Sequence, residues 1–224
     1  MVQDKSKLFF FDPKTHIGGY GNDIWPSVTQ LERTFGLIDF SMVPEERLAA
    51  KSLLGTRVHA ATVLIDNGSL DEEHFNSSFP ECVPYLEGYR KFRIIEGFEV
   101  EHKENRYFSR KWKFHGAPDE SGFNIGKFGK DACLIDYKCT YAMYPACGPQ
   151  LAAYSMLLEE NLKIKIKKRF GLLLKPTGNY DLVPFNDKSD FTDIQACLVL
   201  WWARVNKYKT LNPKKELSHG NNND

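Results

Sequence analysis

Two carboxylates and one lysine stand where two short segments of this sequence end. Asp119 closes the string GAPD at 116–119, and Asp136 and Lys138 are the outer members of the string DYK. The stretch between them predicts two strands joined by a turn, and folding that hairpin brings the three side chains to one strand end. Paired carboxylates hold a hard divalent cation, and a nearby ammonium orients water and stabilises negative charge. Such a set suits hydrolysis of a phosphodiester.

Each of these residues also has an ordinary structural explanation. Asp119 follows a proline, which cannot extend a central strand ladder. The alternative explanation of Asp119 is therefore an ordinary aspartate in a turn. Asp136 ends an apolar run, where an unpaired carboxylate is costly, and either a metal ion or the Lys138 ammonium must compensate it. Tyr137 points to the opposite face of the strand, but its backbone carbonyl is an acceptable ligand for a hard cation.

Upstream residues extend the candidate site. His59 lies in a predicted helix, where it is either an ordinary helix histidine or a neutral imidazole that completes a Mg²⁺ or Mn²⁺ site. Arg57 is a candidate phosphate contact. Glu104 is predicted to begin the strand that leads to Asp119 and is a candidate outer-shell or metal carboxylate; a solvated strand-end charge is the alternative, and Glu101 is a rival for the same role.

Downstream, Gln150 and Tyr154 are four positions apart and therefore share one helix face. They either face a cleft and contact substrate, or simply reflect helix amphipathicity. A basic cluster has a similar ambiguity, because it suits phosphate contact but also protects an edge strand from aggregation. Its members are Arg106, Arg110, Lys111 and Lys113.

The composition excludes several classes of protein. The chain has 224 residues, of which 42% are hydrophobic, and a formal net charge of only +1, so contact with nucleic acid must come from local patches. No apolar run is long enough to cross a membrane, and the start lacks the pattern of a signal peptide, so we expect a cytoplasmic protein. Five cysteines without CxxC spacing indicate buried thiols in a reducing compartment and give no support for an iron–sulfur cluster.

Hydrophobic periodicity predicts an alternation of helices and strands. One predicted helix begins at Ser27, and the others cover 44–54, 55–68, 81–97, 150–160 and 190–207. The predicted strands cover 106–115, 132–136 and 162–170, with a hairpin formed by 172–174 and 180–184. Strands covered by helices indicate an α/β fold with a central mixed β-sheet flanked by α-helices. We expect a single domain over 1–210 and a disordered tail over 211–224.

Together these residues resemble the PD-(D/E)XK nuclease superfamily, in its RecB-like and phage-type exonuclease branch. The string PSVT at 26–29 resembles the start of phage members, and the similarity covers roughly residues 20 to 205. A lone PD…DxK motif is weak, whereas the ordered set of His, Asp, Asp-x-Lys and Gln-xxx-Tyr at these spacings is specific. The ordered set is His59, Glu104, Asp119, the string at 136–138, and Gln150 with Tyr154.

The resemblance implies a restriction-endonuclease-like core and one or two Mg²⁺ or Mn²⁺ ions. It assigns His59, Asp119, Asp136 and the Tyr137 carbonyl as metal ligands, and Asp119, Asp136 and Lys138 as catalytic residues. Lys138 would orient the attacking water and help to deprotonate it. Gln150, Tyr154 and Arg57 would contact the substrate.

The sequence thus predicts a metal-dependent deoxyribonuclease, most simply an exonuclease in DNA processing or recombination. DNA is the expected partner, with a single-strand annealing or other recombination protein as a second, in a bacterial or phage-infected cell. A structure-specific or sequence-specific endonuclease on the same fold is the first alternative. A non-catalytic DNA-binding or assembly protein is an alternative of another class. The sequence does not select an oligomeric state.

Overall fold

The computed structural model describes residues 8–123 and 131–211, which form one central sheet, two smaller sheets and the helices around them. The strands are β1 (Phe9–Asp12), β2 (Ile17–Tyr20), β3 (Asp23–Trp25), β4 (Glu99–Lys103), β5 (Tyr107–Ser109), β6 (Phe114–Gly116), β7 (Glu120–Phe123), β8 (Cys133–Lys138), β9 (Lys168–Leu174) and β10 (Tyr180–Pro184). The helices are α1 (Val28–Thr34), α2 (Glu45–Asp66), α3 (Glu72–Ser78), α4 (Val83–Glu96), α5 (Cys147–Leu162) and α6 (Ser189–Leu211).

The central sheet has five strands in the order β10-β9-β8-β7-β4. β8 and β9 are parallel, while every other neighbouring pair is antiparallel. The predicted central mixed β-sheet flanked by α-helices is therefore confirmed. β8 is the buried middle strand, as its apolar run predicts, because both of its faces are covered by helices.

Alternation along β8 sends its side chains into two separate cores. Ile135 and Tyr137 pack on the side of α2 and α4, in the same cluster as Val58 and Tyr89. Leu134 packs on the other side, in the cluster that α1, α5 and α6 build. Because a strand alternates its faces, Asp136 and Lys138 share the face of Leu134 and point towards α5.

The largest correction concerns α2. The sequence predicts one helix over 44–54 and a second helix after Gly55, whereas the structure has one continuous helix from Glu45 to Asp66. A glycine inside a helix costs about 1 kcal/mol relative to alanine, which packing of a long helix easily offsets. His59 thus lies in the middle of a rigid element.

The predicted strand over 106–115 is also wrong as a single element. The chain forms β5 and β6, an antiparallel hairpin in which Phe108 pairs with His115. Lys113, in the turn between the two strands, has a φ of 54°. Apart from Arg110, the turn continues the alternation, with Trp112 in the phase of Phe108 and Phe114, which is why the turn is hidden in the sequence pattern.

Two further predictions about strands need correction. Glu104 does not begin the strand that leads to Asp119; it directly follows β4, which pairs with β7. The predicted strand over 162–170 begins only at Lys168, because α5 continues to Leu162 and Lys163 caps it with a φ of 62°. The hairpin of β9 and β10 and the closing helix α6 are confirmed.

The N-terminal part of the chain supplies a small sheet and a well-capped helix. β1, β2 and β3 form a three-stranded antiparallel sheet. Ser27 is the N-cap of α1, as predicted, and its hydroxyl accepts a hydrogen bond from the Gln30 backbone N–H at 3.1 Å. The predicted turn around 124–129 and the predicted tail beyond Leu211 lie outside the described residues.

The helices and the cysteines are also the subject of predictions from the sequence. None of the helices in residues 8–123 and 131–211 combines the length and the apolar character that crossing a bilayer requires. All five cysteines are free and buried, as predicted for structural thiols.

Candidate active site

A cavity of about 750 Å³ opens at the carboxyl end of β8, between α2 and the start of α5. Seven of the residues singled out in the sequence line it: His59, Glu104, Asp119, Asp136, Tyr137, Lys138 and Gln150. His59 lines the cavity from α2, on one side of the sheet, and Gln150 lines it from α5, on the other side. The long-range prediction that these residues meet in space is therefore consistent with the structure.

Asp119 and Glu104 are brought together by two neighbouring strands. Asp119 directly precedes β7, and Glu104 directly follows β4, its antiparallel partner. The Glu104 backbone N–H donates to the Asp119 carbonyl at 3.0 Å. Glu104 has a φ of 53°, a left-handed conformation that is uncommon for a residue with a side chain and concentrates at functional sites.

His59 bridges the two carboxylates. Its Nδ1 lies 3.3 Å from Glu104 Oε1 and 3.4 Å from Asp119 Oδ1, and its ring packs edge-on against Tyr137 at a centroid distance of 5.3 Å. Burial by itself lowers the pKa of His59, but the Asp119 and Glu104 carboxylates outweigh burial and raise that pKa to about 10. In the metal-free protein the imidazole is therefore a cation held by two anions.

The same three side chains fit a divalent cation. One ligand atom from each of His59, Glu104 and Asp119 can be chosen so that all lie within 4.8 Å of one another. Octahedral ligands about 2.1 Å from a metal are roughly 3 Å apart, close to the separations seen here. One imidazole and two carboxylates suit Mg²⁺ or Mn²⁺. The sequence left Glu104 open as an outer-shell or a metal carboxylate, and the 3.3 Å between its Oε1 and His59 Nδ1 favours a direct ligand.

Asp119 is fixed by a second contact. Its Oδ2 accepts a hydrogen bond from the Tyr137 backbone N–H at 2.6 Å, across the β7–β8 pair. Burial raises the pKa of Asp119, but His59, Lys138 and this amide donor outweigh burial and lower it overall. Asp119 therefore stays ionised and available to a cation.

Asp136, Lys138, Gln150 and Tyr154 form a connected chain of polar contacts. Lys138 Nζ forms an ion pair with Asp136 Oδ2 and donates to Gln150 Oε1 at 3.1 Å. Gln150 Nε2 in turn lies 3.3 Å from the Tyr154 hydroxyl, to which it donates. Gln150 lines the cavity, whereas Tyr154 is buried and reaches the site through Gln150. The two share a face of α5, which is what their spacing predicts.

Burial sets the charge states of the Asp136–Lys138 pair. Burial raises the pKa of Asp136 to about 6, against the opposing pull of Lys138. Burial alone lowers the pKa of Lys138, but Asp136 more than reverses this and raises it. The ammonium is therefore the persistent charge of the pair, and the carboxylate is the group that exchanges a proton near neutral pH.

The Tyr137 side chain lies on the opposite face of β8, as alternation predicts. Its hydroxyl is 3.5 Å from Lys103 Nζ, which forms ion pairs with Glu120 and Asp66 at 2.6 Å each. This buried network fixes the strand end from behind. The role of the Tyr137 carbonyl as a metal ligand stays a prediction.

Two candidates from the sequence lie elsewhere. Arg57 forms an ion pair with Glu81 at 2.8 Å and stacks on Phe79, and it is not among the residues that line the cavity. Glu101, the rival of Glu104, lies within β4 and has His102 as its ion-pair partner.

Glu32 is a candidate residue that the sequence analysis missed. It is buried on α1, and neither of its carboxylate oxygens has a hydrogen-bond partner in the described part of the chain. Burial raises the pKa of Glu32 to about 8, with Lys138 opposing this and Asp136 adding to it. The signal for Glu32 was its place beside Leu31 on the apolar face of a short helix.

Comparisons with known proteins give similarity of fold at low identity. No family model matches the sequence, and no curated protein does. A candidate exonuclease from Eubacterium rectale is similar over 84% of this chain and 74% of its own, at 12% identity and a TM-score of 0.46. An alkaline exonuclease from Laribacter hongkongensis is similar over 58% of this chain and 69% of its own, at 13% identity and a TM-score of 0.44. Scores of this size carry no argument about function, which therefore depends on the site itself.

Proposed function

We propose that this chain is a metal-dependent DNA exonuclease of the PD-(D/E)XK superfamily. The observation that carries the proposal is the convergence of His59, Glu104 and Asp119 in the cavity that also holds Asp136 and Lys138. A structural ion pair needs only two of these groups. A cation-binding cluster beside a carboxylate–lysine pair is what phosphodiester hydrolysis requires.

His59, Glu104 and Asp119 would hold the ion, with Asp136 and the Tyr137 carbonyl completing the ligand set that the resemblance implies. A bound Mg²⁺ or Mn²⁺ would supply the positive charge that stabilises a pentavalent phosphate and the leaving 3′ oxygen. Because a metal ligand must be a neutral imidazole, His59 would have to give up its proton to hold the cation. Asp119 keeps its orientation throughout, because the Tyr137 backbone N–H holds it.

Lys138 acts through its charge. Its raised pKa keeps the ammonium protonated, so it orients the attacking water and stabilises negative charge on the phosphate. Asp136, with a pKa of about 6, is the carboxylate whose basicity best suits accepting the proton of that water. The water oxygen joins phosphorus, the bond to the 3′ oxygen breaks, and a proton returns to that oxygen.

Gln150 positions the catalytic lysine and lines the cavity, and Tyr154 supports Gln150 from behind. Gln150 accepts a hydrogen bond from Lys138 and thereby fixes the direction of the ammonium. The pair matches the extra motif that the resemblance associates with exonucleases. We propose DNA processing or recombination in a bacterial or phage-infected cell as the role, with an annealing protein as partner.

The test is digestion of labelled linear duplex and covalently closed circular DNA by purified protein, in Mg²⁺, in Mn²⁺ and in EDTA. We expect loss of the linear substrate from its ends with either metal, intact circles, and no product in EDTA. Cutting of closed circles would replace the exonuclease proposal with an endonuclease. Activity in EDTA, or no activity in either metal, would overturn the metal-dependent mechanism.

A further inference from the structure

A row of aromatic and arginine side chains runs along the small N-terminal sheet and the β5–β6 hairpin. This aromatic–arginine row consists of Phe9, Phe11, Tyr20, Arg106, Phe108, Arg110 and His115. At its outer end, Phe9 stacks on Phe108 with ring centroids 4.7 Å apart, and Arg110 lies 5.1 Å from the rings of both Phe9 and Tyr20. Phe9 and Arg110 are exposed, so this end of the row is open to a ligand.

Arg106 is the least expected member of the row. Its guanidinium lies 3.5 Å from the centroid of the Phe11 ring and donates a hydrogen bond to His115 Nδ1 at 3.0 Å. Burial, followed by the charge of Arg106, lowers the pKa of His115 to about 4, so the histidine is a neutral acceptor. Among residues 8–123 and 131–211, no carboxylate lies within ion-pair distance of Arg106. A half-buried guanidinium without a carboxylate is suited to an external anion.

The inner end of the row adjoins the candidate active site. Burial lowers the pKa of Arg106, and the charge of Glu104, two positions before it and on the cavity wall, opposes this. Gly116 follows His115 directly, and a Cβ built on Gly116 would lie only 2.8 Å from Cε1 of Tyr154, so this strand and α5 are in close contact. The row therefore begins beside the Gln150–Tyr154 face and leads outward over β5 and β1.

We propose that the aromatic–arginine row binds the single-stranded part of a nucleic acid whose scissile phosphate lies in the active site. This proposal rests on the nuclease function proposed above. The arginines contact phosphates, and flat rings alternating with guanidinium planes stack on unpaired bases. Bases in a duplex are already stacked on each other and offer no such face. An acidic protein segment would use the arginines but not the rings.

The proposal is tested by fluorescence anisotropy of a labelled 12-nucleotide single strand, in EDTA so that no cleavage occurs. We expect Arg106→Ala and Arg110→Ala each to weaken binding about 5-fold or more, and Phe9→Leu, which keeps apolar bulk but loses the flat ring, about 5-fold. Arg204→Ala is the matched control, because Arg204 also stacks on an aromatic ring, Phe35 at 4.9 Å, but lies on α6 and contacts no member of the row in the described part of the chain. The control should bind like the unmodified protein.

Two further DNA probes separate the contribution of base stacking from that of phosphate contact. An abasic strand of equal length should bind more weakly than the normal strand, and a blunt duplex should not bind more tightly than the single strand. Thermal unfolding of each variant excludes loss of folding, and Arg106→Lys, which keeps the charge but loses the plane, should bind between Arg106→Ala and the unmodified protein.

The results separate this proposal from the nuclease function. Equal affinity of all variants, or equal binding of the abasic strand, would overturn the role of the row even if the protein cleaves DNA. Row-dependent binding by a protein that cleaves nothing in Mg²⁺ or Mn²⁺ would support the row and refute the nuclease. Absence of single-strand binding by the unmodified protein would overturn the role of the row, whereas only the absence of digestion in Mg²⁺ and Mn²⁺ would refute the nuclease.

Discussion

Two buried carboxylates of the site differ in their readiness to ionise. Asp119 keeps a lowered pKa because His59, Lys138 and a backbone amide outweigh the burial that opposes ionisation, whereas burial raises the pKa of Asp136 to about 6 in spite of Lys138. Two titratable groups pushed in opposite directions are a common basis for dividing roles at a site. In the proposed mechanism Asp119 serves as a cation ligand, whereas Asp136, which completes the ligand set, would also accept the proton of the attacking water.

The structure makes Glu104 a stronger candidate metal ligand than the sequence did. Because its Oε1 lies 3.3 Å from His59 Nδ1, Glu104→Gln should weaken Mn²⁺ binding by at least about 10-fold, measured by titration calorimetry. Glu101→Gln is the matched control, because Glu101 lies within β4, the strand that Glu104 follows, and this variant should bind Mn²⁺ normally. Equal affinity of the two variants would remove Glu104 from the ligand set.

The buried carboxyl group of Glu32 should make the free energy of unfolding depend on pH. Its folded-state pKa of about 8 is above the unfolded value of 4.5, so its contribution is present at low pH and is lost as pH rises through about 8. Glu32→Gln removes this loss. In EDTA, the free energy of unfolding of Glu32→Gln minus that of the unmodified protein should increase by on the order of 3 kcal/mol between pH 5 and pH 8.5.

Urea unfolding at the two pH values measures this difference, and the exposed Glu159 supplies the control. Glu159→Gln should differ from the unmodified protein by the same amount at both pH values. A difference for Glu32→Gln that is constant with pH would show that its carboxylate does not titrate in this range. That result would contradict its isolation in the core.

At the scale of elements, the site depends on α2 being one uninterrupted helix. Gly55 lies in its interior, and a Cβ built there meets nothing within 4 Å. Gly55→Ala should therefore stabilise the protein by about 0.5–1 kcal/mol, since alanine favours the helix and no clash opposes it. The midpoint of urea unfolding measures the change.

Replacing Gly88 in α4 with alanine should have the opposite effect on stability. A Cβ there would lie 2.6 Å from the Asn179 carbonyl oxygen, so Gly88→Ala should destabilise the fold by on the order of 1–3 kcal/mol. Stabilisation by both substitutions, or by neither, would show that helix propensity and close packing do not act here as described.

Elements with a continuous pattern were predictable, and those with a hidden break were not. The Ser27 cap and the β9–β10 hairpin each have a local signal, and both are confirmed. The turn between β5 and β6 keeps the alternation of its flanks, so it was predicted as strand. No element was predicted for β4, because an edge strand that pairs only with β7 gives a weak pattern.

At the scale of the whole molecule, the site exists because both helical layers meet the end of β8. His59 comes from the layer of α2, while Gln150 and Tyr154 come from α5 across the sheet. The sequence allowed these residues to be grouped by their order and type. It did not reveal Glu104 as the neighbour of His59 or Glu32 as a buried carboxylate, because both depend on contacts between distant segments.

The central claim is that Lys138 and its carboxylate neighbours hydrolyse DNA, and the rate of product release from end-labelled linear DNA tests it most directly. Lys138→Ala should lower the rate in Mg²⁺ by at least about 100-fold while the variant still unfolds in one cooperative thermal transition well above the assay temperature. Lys175→Ala is the control, since Lys175 also pairs with an aspartate, Asp181 at 2.6 Å, and should remain fully active. Full activity of Lys138→Ala, or of the unmodified protein in EDTA, would contradict the account.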